Sequence, residues 1–379
     1  MTIMEQERYD VIVVGAGIIG ASCAYSLAMA GQRVLVVDSR PIGSLTSSKG
    51  MGHVTAMEES QPQLELTRYS RRLWNELGPR LPAEADYFPC GTIWVAETRQ
   101  EMMLAEEKHD RFVGADVGAT VLSRAALEKL EPNVRPGMAG GLLVPADCVV
   151  FPPRVAQWLL EQAQLRGTRM MIGFEVAAIE PGGVQLKNRL RFQAPAVVNA
   201  AGIFSPTLTA GLPVRWRKGH IVVTAPSPGF CHHQLVELGY LQHAHKHDAD
   251  SIAFNIEPRG NGQMLIGSSR QYGSTSDDVE PEVLDRMMRR ACEFMPGIPS
   301  LRVALTRTGF RPASPDSLPI IGECPKQPGV FVASGHEGLG ITTSLGTGQI
   351  VADLVMGTKT EIDVGAFSPA RFHALGGVA

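Results

Sequence analysis

The stretch Tyr9-Asp-Val-Ile-Val-Val-Gly15-Ala-Gly-Ile-Ile-Gly20 limits this chain more than any other. Its apolar run predicts a buried strand, and the G-x-G-x-x-G spacing opens a helix over Ala21 to Ala30, with Gly31 as its C-cap. Val34 to Val37 predicts a second buried strand, closed by Asp38. Gly15 permits a tight turn, Gly17 leaves room for a pyrophosphate, and Gly20 lets the helix pack closely on the sheet. The helix N-terminus favours phosphate through its N–H groups and dipole. Asp38, 23 residues after Gly15, accepts hydrogen bonds from a ribose diol and repels the 2′-phosphate of NADP. The motif by itself fits NAD and FAD alike. Val11 to Gly31 carries no charge and is long enough to cross a bilayer, but its four glycines and the strand after it favour a buried strand and packed helix.

Four further segments bear on the cofactor. Gly43 to His53 runs small hydroxyl residues and glycines together just after the acid, where an NAD dehydrogenase continues into a helix. Ala196-Val-Val-Asn-Ala-Ala-Gly202 is an apolar strand ending in small residues. Gly309-Phe-Arg-Pro-Ala-Ser-Pro-Asp316 sets Arg311 in a proline-flanked turn, suited to a carboxylate or to an ion pair with Asp316. Val330 to Ser344 is a strand, a glycine-rich turn around His336, and the start of a helix over Ile341 to Met356, whose N-terminus would stabilise negative charge on a reduced flavin.

The order of these pieces predicts an α/β fold with an α+β insertion. A Rossmann-like cofactor domain is assembled from 1–84, 151–214 and 305–379, with an inserted antiparallel-sheet substrate domain from 85–150 and 215–304. Leu241–Gln242, Ser251 to Glu257 and Gln263 to Ser268 alternate like strands, and Arg154 to Arg166 and Glu280 to Glu293 read as amphipathic helices. The net charge of −3 argues against nucleic acid as a partner. The six cysteines form no C-x-x-C and no zinc spacing with His, so no metal site is expected, and a cytoplasmic location is the default.

With these segments in place, the chain resembles the D-amino-acid-oxidase-like flavoproteins, the glycine oxidase/sarcosine oxidase group, over nearly its whole length. Gly15, Gly17, Gly20, Asp38, Ala200-Ala-Gly202, Gly309-x-Arg311-Pro312, Pro315-Asp316, Pro319, Gly322, Gly335-His336, Gly338 and Gly340 carry the resemblance. Within the group it is most similar to FAD-bearing subunits of heteromeric amine dehydrogenases: D-hydroxyproline dehydrogenase, opine oxidase and hydrogen cyanide synthase. His233 to Tyr240 and Gly267 to Arg270 lean towards the hydroxyproline branch. The family usually has Glu at the ribose position, so the shorter Asp38 implies a modest change in that contact.

The resemblance implies FAD, held non-covalently since no cysteine falls within Gly335 to Thr342. The cofactor contacts it implies are Gly15, Ala16, Gly17, Ile18, Gly20, Asp38, Ser39, Thr46, Ser47, Ser48, Lys49, Gly50, Met51, Gly52, Val176, Ala200, Gly202, Arg311, Gly338, Leu339, Gly340, Ile341 and Thr342. The expected reaction moves a hydride from the C–N bond of a small amino or imino acid to flavin N5, with D-hydroxyproline or a related D-amino acid as substrate. Arg311 would hold the carboxylate. His336 and His53 would tune flavin charge or take the amine proton, or be ordinary hydrogen-bonded histidines. Tyr240 and Arg270 would roof the substrate; a core aromatic and a rim charge are their plainer readings. Oxygen as acceptor would make a glycine/sarcosine-type or opine oxidase. A quinone, a second flavin or an iron–sulfur centre on partner subunits would make a dehydrogenase, or a flavin subunit inactive alone, at most peripherally attached to the inner face of the membrane. An NAD-linked dehydrogenase leaves the later segments unexplained, and an FAD hydroxylase lacks a second nucleotide fingerprint.

Overall fold

The computed structural model describes residues 8–239 and 250–372. The chain forms two units: 1–48, 152–215 and 311–379, and 49–151 with 216–310. Residues 49–84, expected with the cofactor lobe, pack within the second unit instead. Among the described residues no helix is long and apolar enough to cross a membrane.

The first unit is built on a six-stranded sheet in the order Ile320–Glu323, Val330–Ser334, Ala196–Asn199, Val11–Val14, Val34–Asp38, Arg169–Ile172. The last five run parallel, and only Ile320–Glu323 is antiparallel. The central strands are Val-, Ile- and Ala-rich and buried on both faces, as parallel strands must be. The helix Ile18–Met29 is apolar nearly all round because it lies between the helices Pro152–Gln164 and Gly340–Met356. Gly348 makes the second contact close: a Cβ there would stand 2.5 Å from the Ser22 carbonyl oxygen. A three-stranded antiparallel meander, Val176–Glu180, Gly183–Leu186 and Arg191–Gln193, shares a core with Tyr9, Ile12 and Leu35.

The second unit carries an eight-stranded sheet in the order Val303–Ala313, Arg215–Thr224, Met264–Tyr272, Ser251–Pro258, Gln234–Glu237, Thr92–Ala96, Gly140–Val144, Thr120–Ser123. Side chains alternate between its faces. Val222, Phe254, Ile256 and Ile266 join the core of the helix Pro281–Phe294, where Phe254 and Phe294 stack at 4.6 Å. On the opposite face Ile221, Val223 and Leu265 pack with Met51. Arg311 belongs to the long strand Val303–Ala313, not to the turn its prolines suggested; Pro312 sits near the strand end, where a missing N–H costs little.

Candidate active site

Four adjacent parallel strands of the first unit, Val330–Ser334, Ala196–Asn199, Val11–Val14 and Val34–Asp38, point their carboxyl ends to one edge. Three of the sequence segments singled out above leave the sheet there: Gly335-His336, Ala200 to Gly202 and Gly15 to Gly20, beside Asp38. Open α/β sheets bind ligands outside such strand ends. Gly15 has φ +113, and a Cβ on it would lie 2.4 Å from the Ala200 carbonyl oxygen. A Cβ on Gly17 would meet only Ser47 Oγ, at 3.3 Å, so the helix entrance is open. The helix Ile18–Met29 has no cap from its own N-cap residue; Ser47 Oγ accepts from Ile18 N–H instead, at 2.9 Å. Asp38 is half-buried, and its carboxylate accepts from Ala16 N–H at 2.6 Å and Arg40 N–H at 2.8 Å. These bonds aim the acid along the edge. A helix start capped from outside by Ser47 and a fixed carboxylate one strand away fit a nucleotide pyrophosphate and ribose, and so fit FAD.

Ser39 is exposed, Thr46 opens the short helix Thr46–Lys49, and Ser48 Oγ is tied back to Leu45 O at 3.0 Å. Val176 is buried at the start of the meander. Gly202 accepts a hydrogen bond from Ser334 Oγ at 2.9 Å, linking two of the segments. Gly338 and Leu339 form a single 3₁₀ turn, and Gly340, Ile341 and Thr342 begin the helix Gly340–Met356, which has no side-chain cap. His336 is buried, its Nε2 3.0 Å from Thr347 Oγ1, and burial pushes its pKa down to about 3. It is therefore neutral near neutral pH and a poor proton acceptor there. Arg311 is half-buried. Asp316 is gripped by Arg371 through two bonds of 2.7 and 3.0 Å.

The other candidates lie in the second unit. Lys49 ends the short helix Thr46–Lys49, residues 50–52 form a loop, and the short strand His53–Val54 pairs with Cys148–Val149. Behind this loop stands a charge cluster that the sequence did not announce. Glu257 is fully buried, with Arg259 Nη1 2.6 Å from one carboxylate oxygen and His53 Nε2 2.9 Å from the other. Burial alone would raise the carboxyl, but Arg259 and His53 outweigh it and hold it below its ordinary value. Arg259 also reaches Asp86 at 3.0 Å and donates to Val150 O at 2.8 Å, while Arg307 donates to Gly50 O at 3.0 Å. A Cβ on Gly52 would lie 2.3 Å from Val150 O and 2.7 Å from Arg259 Nη1. Gly52 thus serves close packing on charged groups of the same unit. Arg270 is half-buried on the strand Met264–Tyr272, five residues beyond Leu265, the partner of Glu257, and is not part of the cluster. Tyr240 and the predicted strand Leu241–Gln242 lie outside the described residues. Among the described residues no group of three or more His, Cys, Asp or Glu side chains is arranged to hold a metal.

A parallel sheet with an open glycine turn and an aimed acid at its strand ends defines a dinucleotide-binding oxidoreductase. The chain belongs to the DAO family, FAD dependent oxidoreductase, whose model matches residues 10–354. It is 29% identical over 378 residues to a glycine oxidase of Geobacillus kaustophilus, covering 96% of this chain and 97% of that one. It is 26% identical over 417 residues to the hydrogen cyanide synthase subunit HcnC of Pseudomonas aeruginosa, covering 96% of each. The crystal structure of the Geobacillus kaustophilus glycine oxidase superposes with a TM-score of 0.85 at 28% identity, over 95% of this chain and 98% of that one. The protein is an FAD-dependent oxidoreductase with the mixed α/β architecture of that family.

Proposed function

We propose that this enzyme oxidises the C–N bond of a small amino or imino acid to an imine, with D-hydroxyproline or a related D-amino acid as its substrate. Bound FAD supplies the hydride acceptor. The residues of the first unit available to hold it are Gly15 to Gly20, Asp38, Ser47, Ala200, Gly202 and Gly338 to Thr342. Arg311 takes the substrate carboxylate and so fixes which hydrogen faces the acceptor. The observation that supports this role is its place: Arg311 is half-buried near the end of the long strand Val303–Ala313. His336, buried and with a low pKa, is a poor acceptor of the amine proton near neutral pH.

The test is an anaerobic reduction screen of the flavin-loaded protein with glycine, sarcosine, D-amino acids, cis-4-hydroxy-D-proline and opines. Bleaching by cis-4-hydroxy-D-proline well ahead of glycine is the expected result, and Arg311→Leu should raise KM strongly while FAD stays bound. A flavin that no amino or imino acid reduces overturns the reading. A second reading, a flavin subunit that passes electrons to a partner, draws on the subunit name of the Pseudomonas relative. Rapid bleaching without oxygen consumption on re-aeration would select it.

A further inference from the structure

His336 stands where three pieces of the first unit meet. Its backbone forms an antiparallel bridge with Ala313, two residues beyond Arg311. Residues two apart on a strand face the same way, so this bridge steadies the strand end from which Arg311 projects. Its carbonyl oxygen accepts from Leu339 N–H at 3.0 Å, which closes the 3₁₀ turn before the helix Gly340–Met356. The backbone on its amino side is confined: a Cβ on Gly335 would lie 3.1 Å from Ile320 Cγ1 and 3.4 Å from Ser314 Cβ.

The imidazole reaches along the helix. A Cβ on Gly340 would lie 3.4 Å from His336 Cβ, so the side chain starts at the helix entrance. Its Nε2 lies 3.0 Å from the hydroxyl of Thr347, the eighth residue of the helix, about two turns in. His336 is 3% exposed and Thr347 fully buried, so neither partner has water to fall back on. Burial also keeps the ring neutral near neutral pH, so it acts through this contact and not through charge. One side chain thus ties the Arg311 strand end, the turn and the helix into one piece. Arg311, Ala313, His336, Leu339, Gly340 and Thr347 all belong to the first unit.

We propose that His336 is a positioning residue: locked to Thr347 and bridged to Ala313, it holds the Arg311 guanidinium and the N–H groups at the start of the helix Gly340–Met356 in one fixed arrangement. This rests on the reading of Arg311 as the carboxylate-binding group and of Gly338 to Thr342 as a cofactor surface. Releasing the ring lets both drift, and preorganised donors lose effect steeply with small displacements. Two quantities should therefore fall together: the affinity for a carboxylate and the stabilisation of negative charge on the reduced flavin.

The experiment uses the FAD-loaded full chain. The flavin midpoint potential is measured by chemical reduction, and carboxylate binding by the change in flavin absorbance on adding pyrrole-2-carboxylate. Thr347→Val removes the hydroxyl at nearly constant volume. It should shift the flavin equilibrium about tenfold towards the oxidised form, about 30 mV for two electrons, and weaken the carboxylate about fivefold. Thr347→Ser keeps the hydroxyl and should remain near wild type. His336→Leu removes the other partner and should match Thr347→Val, which covers a Thr347→Val protein that fails to fold. The proposal is overturned if either quantity keeps its wild-type value in Thr347→Val or His336→Leu, even where thermal stability drops. It is equally overturned if Thr347→Ser falls as far as Thr347→Val, or if the wild type binds no carboxylate. Neither readout needs turnover, so a flavin that no amino or imino acid reduces would sink the parent reading and leave this test standing.

Discussion

The strand ends of the first unit and the loop-bearing face of the second unit are both dense in glycine, yet for opposite reasons. In the first, Gly15 and Gly17 sit where backbone meets backbone or opens towards a helix start, and the one buried titratable group at that edge, His336, is neutral. In the second, Gly52 makes room for ionised neighbours, and the buried titratable group, Glu257, stays charged because Arg259 and His53 stand beside it. A glycine-rich loop is therefore not by itself a mark of phosphate binding. What its missing Cβ would have struck decides which kind it is.

The largest expected effect sets the two buried groups against each other by pH. His336 has a folded pKa of about 3 against an ordinary 6.5, so the unfolded chain takes its proton first as pH falls. Its contribution is intact above 6.5 and is lost between 6.5 and about 3, on the order of 5 kcal/mol in all. Denaturant titrations of apoprotein should show the acid limb flattened by His336→Gln; equal slopes for the two proteins would break the contrast. Glu257 is depressed rather than raised, so its contribution is present above its ordinary value of 4.5 and disappears as pH falls through the folded value. Glu257→Ala leaves Arg259 with Asp86 as its remaining acid and should cost about 2–3 kcal/mol at pH 7. A loss below about 1 kcal/mol in urea unfolding would mean that the cluster is solvated, as exposed pairs are.

Gly15→Ala forces a side chain into a positive-φ position and against Ala200 O, and should cost about 2–3 kcal/mol and most of the bound flavin. The smallest and sharpest effect is expected at Gly17→Ala. Its new methyl finds only Ser47 Oγ, so thermal stability of the apoprotein should change by less than about 1 kcal/mol while FAD affinity drops about tenfold. If apoprotein stability falls as far as in Gly15→Ala, the opening at Gly17 is a packing contact and not a cofactor surface.

This contrast also accounts for what was legible beforehand. Gly15 to Gly20, Asp38 and Gly335-His336 were readable because each task is local: a strand, a turn and a helix start lie within a dozen residues. The parallel order of their strands followed from the same pattern. Glu257, Arg259 and Arg307 gave no signal, since isolated polar residues far from His53 in sequence acquire partners only when the second sheet forms. The placement of 49–84 failed for a related reason. Loop composition pointed to the cofactor lobe, whereas the contacts that anchor the loop come from residues about 200 positions later, as in Arg259 to Met51 O. Arg311 was misread as a turn residue because two prolines outweighed the strand pattern before them.

The sheet order carries a consequence for biosynthesis. Val11–Val14 is flanked by Val34–Asp38, made almost at once, and by Ala196–Asn199, which itself waits for Val330–Ser334. The strand and its glycine turn are therefore synthesised roughly 300 residues before the last two of the sheet's six strands, Ile320–Glu323 and Val330–Ser334. Flavin capture waits for those two strands, and the early β-α-β segment must survive the interval beside an unfinished sheet, which makes it the part of the newborn protein with most need of a chaperone.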